Sequence, residues 1–416
     1  MSEPVKRRRS LTNVGGEIDR GGDERASELL AHAVDVAPTA EADAPDRAHV
    51  HGFHAYPARA HPVTARRLVE AFAPAKGLVL DPFCGSGTIL IEAMLAGRNA
   101  LGTDLNPLAV MLARAKTHPR KPEALAALVP AAQEVAAFAD ARRKAKLGAT
   151  RRLPQEDVSI FTPHVLLEMD GLRAGIEKAP PEARPDLQLV FSSILVKLSA
   201  KRGDTSDEPL EKRVSAGYPA RLFVRKAEEL AARFAAFAEE LPRPLQRSRV
   251  LLDDASELRK VDDASVDTVI TSPPYVATYD YIAHHELRMR WLGLDTRRLE
   301  KGEIGARRHY ERLSPDEARA AWERELAKLF TALARVTKKG AALVLLIADS
   351  ATPRGPRGEP ARALRADVIV ADTAAHVRSF EPIARASQAR PHFHGPTVSA
   401  FEDEPRAEHA LLLRRI

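Results

Sequence analysis

A short run between two patterns of different periodicity constrains this chain most. Gly77–Leu80 reads as a buried strand, Thr88–Ala96 has helical composition closed by Gly97, and between them stands Asp81-Pro82-Phe83-Cys84-Gly85-Ser86-Gly87. A strand, a glycine-bearing turn and a helix form the corner at which open parallel α/β sheets bind ligands, beyond the carboxyl ends of their strands. Gly85 and Gly87 let the backbone come close to a ligand. Asn99–Thr103 reads as the next strand and Asp104 ends it, about twenty residues on, where an acid can accept hydrogen bonds from both ribose hydroxyls. Asn106 and Pro107 then supply an N-cap and a first-turn proline for a helix through Lys116. A dinucleotide site would want G-x-G-x-x-G facing a pyrophosphate, whereas here an acid precedes the glycines and repels phosphate. A sulfonium cofactor bearing an ammonium group suits the run better.

A second run, Thr271-Ser272-Pro273-Pro274-Tyr275, follows the strand pattern Thr268–Thr271 directly, and its consecutive prolines fix an extended, rigid backbone. Rigidity serves one kind of chemistry well. An exocyclic base amine has its lone pair delocalised into the ring, and it becomes nucleophilic when acceptors hold both hydrogens and aim the lone pair. The Ser272 side chain and the Pro273 carbonyl can be those acceptors, and Tyr275 offers a ring on which a flipped-out base stacks.

The two runs together resemble the signature motifs of the S-adenosylmethionine-dependent amino-methyltransferases, which act on cytosine N4, adenine N6 or guanine N2. The resemblance implies a Rossmann-like α/β sheet, mostly parallel with one antiparallel edge strand, and S-adenosyl-L-methionine as cofactor. It implies cofactor contacts from Asp81, Pro82, Phe83, Gly85, Ser86, Gly87, Thr88, Asp104 and Asn106, and catalytic roles for Ser272, Pro273, Pro274 and Tyr275. Tyr56-Pro57-Ala58-Arg59 with His61-Pro62 resembles the DNA branch, in which Tyr56 and Pro57 would lie against the methionine part of the cofactor. Asp254, after the strand pattern Arg249–Leu252, stands where the family has an acid for the adenine amino group, with Asp253 as the adjacent alternative. Serine before Pro-Pro-Tyr is more typical of the cytosine-N4 enzymes. The glycine loop nevertheless precedes Pro-Pro-Tyr, the reverse of many of them, so adenine N6 stays open, as does guanine N2 in tRNA or rRNA. Double-stranded DNA is the expected partner, with a cognate restriction endonuclease as a second one. A silent nucleic-acid-binding module is the reading from a different class.

Between the motifs, residues 121–245 lose the strand pattern and read as a mainly helical insertion, with Phe191–Leu198 and the basic residues up to Arg213 as candidates for target recognition. The methyltransferase domain is thus expected in two parts, 49–120 and 246–416. Residues 1–48 read as a disordered tail apart from a short helix over Ala26–Ala33, and the basic run Lys6–Arg9 within it reads as solvated. His284, His285, Arg288, Arg290 and Trp291 fall on a helix after Tyr275 that could touch phosphates. Ser314, Pro315 and Glu317 open a further helix with a capping box, Gly340 closes it, strand Ala342–Ile347 follows, and His409–Leu413 reads as a last antiparallel strand.

The net charge of +6 tolerates a polyanionic partner. A single cysteine, Cys84, excludes an internal disulfide and fits a reducing cytoplasm; its place in the glycine turn reads as packing and not as the nucleophile that cytosine-C5 methylation requires. No metal site, signal sequence or membrane partner is expected from the sequence, and no run in it reads as a transmembrane segment.

Overall fold

Short apolar-rich runs bounded by polar turns give five parallel strands, as runs buried on both faces do. The computed structural model describes residues 16–204, 206–352, 354–355, 358–390 and 399–416. Eight strands form the main sheet, in the spatial order Ile18–Gly22, Phe380–Ala389, Ala407–Arg415, Thr337–Ala348, Val266–Thr271, Leu78–Asp81, Asn99–Asp104, Ser248–Leu252. The last five in that order pair parallel, while Ala407–Arg415 runs antiparallel to both its neighbours. Val79 faces one hydrophobic core and Leu80 the other, as the two-residue period of a strand requires. The first core takes helices Pro62–Phe72, Thr88–Leu95 and Pro107–Thr117; the second takes Pro315–Val336 and Ala366–Val377.

Helices Pro122–Lys144, Pro163–Lys178, Arg184–Leu198 and Tyr218–Glu240 pack on one another and join the first core, with Arg184–Leu198 against Pro107–Thr117. Helix Pro122–Lys144 is long and apolar enough, by length and composition, to cross a membrane, contrary to the sequence reading. Alanine makes it apolar, and its Leu128, Ala132, Val135 and Ala139 are buried against the neighbouring helices.

Several expectations are corrected. Residues 16–48 are not a disordered tail: Ile18–Gly22 is the antiparallel edge strand on Phe380–Ala389, and helix Glu24–Val34 buries Leu30, Ala33 and Val34. Few apolar residues carry this, because main-chain pairing with a distant strand supplies the rest. The basic run Lys6–Arg9 lies outside the described residues. The C-terminal strand is antiparallel, as expected, and lies inside the sheet between Thr337–Ala348 and Phe380–Ala389. Gly340 does not close a helix. The helix ends at Val336, and Gly340 sits at φ +77° in the following strand, where the register against Val266–Thr271 shifts.

Candidate active site at the carboxyl ends of the parallel strands

Asp81, Asp104 and Thr271 are the last residues of three adjacent parallel strands, so the turns that follow them meet over one end of the sheet. A cleft lies there, enclosing about 820 Å³ with open solvent included. Tyr56, Asp81, Pro82, Phe83, Gly85, Ser86, Thr88, Asp104, Asn106, Asp254, Ser272 and Pro274 all line it, bringing residues from both sequence motifs to one place.

The glycine turn is built for close approach. Gly85 (φ +49°) and Gly87 (φ +89°) both occupy the left-handed region, and a Cβ on Gly85 would meet the Tyr56 ring at 3.1 Å. Gly87 is the N-cap of helix Thr88–Leu95 and packs on Ala113, so it shapes the turn without lining the cleft. Pro57 likewise stands outside the lining, and Pro273 is buried behind it.

Asp104 holds the turn through its carboxylate, accepting from Gly85 N at 2.9 Å and Asn106 N at 2.8 Å. Burial pushes its carboxyl up to about 6 despite those bonds. Asp81 is also buried and accepts from Phe83 N at 3.2 Å and Thr271 Oγ1 at 2.6 Å, yet desolvation raises it to about 7. Asn106 caps helix Pro107–Thr117 by accepting from Leu108 N, and its Nδ2 donates to Tyr56 Oη at 3.4 Å.

Of the two adjacent acids after Ser248–Leu252, Asp254 lines the cleft while Asp253 is buried and accepts from Asp254 N and Lys260 N. Cys84 is buried with its thiol pushed well up, packed where a Cβ on Gly102 would meet its Sγ at 3.0 Å. That agrees with a packing role.

The cleft also has a roof that carries no motif. Leu299, Gly302, Glu303 and Ile304 line it, with Tyr281 stacked at 6.2 Å from Tyr56. Glu303 accepts from Tyr281 N at 2.9 Å and pairs with Arg308, and a Cβ on Gly302 would meet Asp254 Oδ2 at 3.2 Å. Sequence reading misses these residues because a roof is defined by what it covers and not by periodicity.

Tyr275 is placed differently from the expectation of a stacking platform in this cleft. The two prolines turn its side chain away, into the second core, where it is 4% exposed and shares a small cavity with Glu408. The recognition candidates are corrected too. Phe191, Ile194, Leu195 and Leu198 are buried core. Arg288 is bound to Asp204 and the Ser192 carbonyl, Arg290 to Asp157, and Trp291 is buried between Phe161 and Phe191, because their helix packs beneath the inserted helices. His285 is buried beside Asn106, its basicity lowered by burial to about 3.

Among the described residues, two groups of three metal-ligating types converge elsewhere, His49 with His51 and Glu92, and Asp349 with Asp367 and His409. In each a carboxylate already faces a guanidinium, Glu92 with Arg66 at 2.7 Å and Asp349 with Arg365 at 3.0 Å.

Residues 37–114 match the family described as DNA methylase. The Type II methyltransferase M.MvaI of Kocuria varians is 41% identical over 78 residues, 18% of this chain and 17% of that protein. M.BsoBI of Geobacillus stearothermophilus is 26% identical over 270 residues, covering 57% and 51% respectively. M.MjaII of Methanocaldococcus jannaschii is 34% identical over 68 residues, covering 16% and 13%. The chain thus spans about half the length of one of these relatives and under a fifth of the other two. S-adenosylmethionine is the cofactor of this kind of domain.

Proposed function

We propose, from the premise that the cofactor half matches the DNA methylase family, that this chain methylates an exocyclic amino nitrogen of a flipped base in double-stranded DNA, with cytosine N4 preferred. One observation carries the reading: Ser272 and Pro274 line the same cleft as Asp81, Asp104 and Asp254.

The charges suit such a cofactor. Asp81, Asp104, Asp254 and Glu303 outnumber Arg59, whose guanidinium is held by Asp46 and the His51 carbonyl. An acidic cleft attracts a sulfonium and an ammonium group and repels a pyrophosphate. Ser86 Oγ and Thr88 Oγ1 are buried in the same lining without partners, so a ligand would satisfy them. Asp81 and Glu303 would balance the cation, Asp104 would accept from the ribose hydroxyls, and Asp254 from the adenine amino group. S-adenosylmethionine, when bound, supplies an electrophilic methyl group.

The chain's own part in the transfer is positional. The Ser272 side chain and the Pro273 carbonyl accept the two amino hydrogens and direct the nitrogen lone pair. Ser272 acts as acceptor and not as a strong base, because the amine becomes acidic once attacked and loses its proton afterwards. No residue need form a covalent intermediate. The relatives' designation as Type II methyltransferases supports a setting of DNA modification; the cytoplasm and a restriction endonuclease of matching specificity belong to this proposal.

The test is incubation with labelled S-adenosylmethionine and separate pools of duplex DNA, tRNA and rRNA, followed by mass spectrometry of the labelled nucleosides. A methylamino base in DNA is the expected result. N2-methylguanine in RNA instead, or cofactor binding with no transfer to any pool, would refute the reading.

A further inference from the structure

Behind the Tyr275 side chain lies a second, much smaller cavity, lined also by Gln388, Arg390 and Glu408, which is too small to hold a base until Tyr275 moves. Tyr275 follows Ser272-Pro273-Pro274 directly in the chain, which places this cavity next to the acceptor pair of the main cleft. Gln388 is the penultimate residue of strand Phe380–Ala389, and Arg390 follows its end with its N–H donating to the Arg406 carbonyl at 2.7 Å; both side chains line the cavity.

Their polar atoms are not all satisfied. Arg390 is 5% exposed and donates Nε to Glu408 Oε2 at 2.8 Å, but Nη1 and Nη2, both buried, have no partner. Gln388 is 1% exposed and donates Nε2 to the Gly16 carbonyl at 3.2 Å, while its buried Oε1 has no partner. Buried donors and acceptors are rarely left unmade, and one acceptor beside two donors in a single cavity is an unmet pattern. Glu408 offsets the charge of Arg390, which suits the cavity to a neutral group and not to a phosphate.

We propose that Gln388 and Arg390 read the Watson–Crick edge of a flipped cytosine, Gln388 Oε1 accepting from the amino group and the Arg390 terminal nitrogens donating to N3 and O2. This rests on the amino-methyltransferase reading above and names the base that its site selects. Acceptor, donor, donor is the pattern guanine presents to cytosine. Adenine would leave one Arg390 nitrogen facing C2–H, and thymine would set its N3–H against a donor. Gln388 Oε1 then takes the place of one of the two acceptors assigned above, and the remaining member of the Ser272–Pro273 pair keeps the other amino hydrogen. Entry of the base from the Ser272 side displaces the Tyr275 ring, which then lies against it.

The experiment uses the full chain, labelled S-adenosylmethionine and unmethylated genomic DNA, with nucleoside mass spectrometry. Wild-type protein should yield N4-methylcytosine. Arg390→Lys, which keeps a cation against Glu408 but loses the fork, should lower kcat/KM for DNA by roughly 10- to 100-fold, with cofactor affinity and melting temperature unchanged. Gln388→Leu should show the same split, and it supplies the readout if Arg390→Lys fails to fold. N6-methyladenine as the wild-type product, a test that needs no variant, would overturn the inference while leaving amino-methylation standing. So would full DNA methylation by either folded variant. No methylated nucleoside in DNA at all would overturn the amino-methyltransferase reading itself, and this inference with it.

Discussion

Thr271 Oγ1 donates to Asp81 Oδ1 at 2.6 Å, joining the final residues of two neighbouring parallel strands and, through them, the two motifs of the sequence. The bond favours the ionised carboxylate that burial disfavours. Thr271→Val keeps the shape and removes the donor, so the Asp81 carboxyl should move above its present value of about 7. Cofactor affinity at pH 7 should fall by roughly tenfold, on the scale of one lost hydrogen bond to a charged group. Calorimetric titration checks this, and an unchanged affinity would mean that Asp81 does not balance the cofactor's charge.

Stability and cofactor affinity should respond to pH in opposite directions. Asp81 and Asp104 are raised from 3.8 to about 7 and about 6, so between these values the folded chain holds protons that the unfolded chain has released. Stability contributed by these groups is therefore greatest at low pH and is lost as pH rises through that window. A cationic ligand wants both groups ionised, and its affinity should rise over the same window, by up to about tenfold per pH unit for each proton displaced. Melting curves from pH 5 to 8, with and without S-adenosylmethionine, should diverge upward in pH. Parallel curves would disprove the coupling.

Ser272→Ala should leave cofactor affinity intact and lower kcat by roughly 10²- to 10³-fold, the usual scale for one lost orienting hydrogen-bond partner. Single-turnover methylation of duplex DNA measures it. Loss of cofactor binding in this variant would move Ser272 from orienting the amine to building the cofactor site.

Leu30 is fully buried in a segment that composition alone assigns to a tail. Leu30→Ala should cost about 2–5 kcal/mol in chemical denaturation, as a core truncation does. A cost near zero would restore the tail reading.

Phe191→Ala should behave in the same way, losing about 3–5 kcal/mol because the ring packs against Trp291. DNA affinity per folded molecule should not change. A variant that stays stable but binds DNA less tightly would return this helix to target recognition.

Alternation, turn chemistry and two motifs were enough to locate the strands ending at Asp81, Asp104 and Thr271, the caps at Asn106 and Ser314, and three of the acids that line the cleft, Asp81, Asp104 and Asp254, because each depends on neighbours close in the chain. Contacts between residues far apart were decided only by the tertiary structure. Pairing of Ile18–Gly22 with Phe380–Ala389 turns an apparent tail into the edge of the sheet, and the segment around Gly302 becomes a roof only because Asp254 lies beneath it. Tyr275 faces the second cavity because the prolines before it fix the backbone direction, which residue identity alone does not reveal. Gln388 and Arg390 carry no motif either: burial strips water from their polar atoms, and the fold leaves three of those atoms facing one cavity unmet.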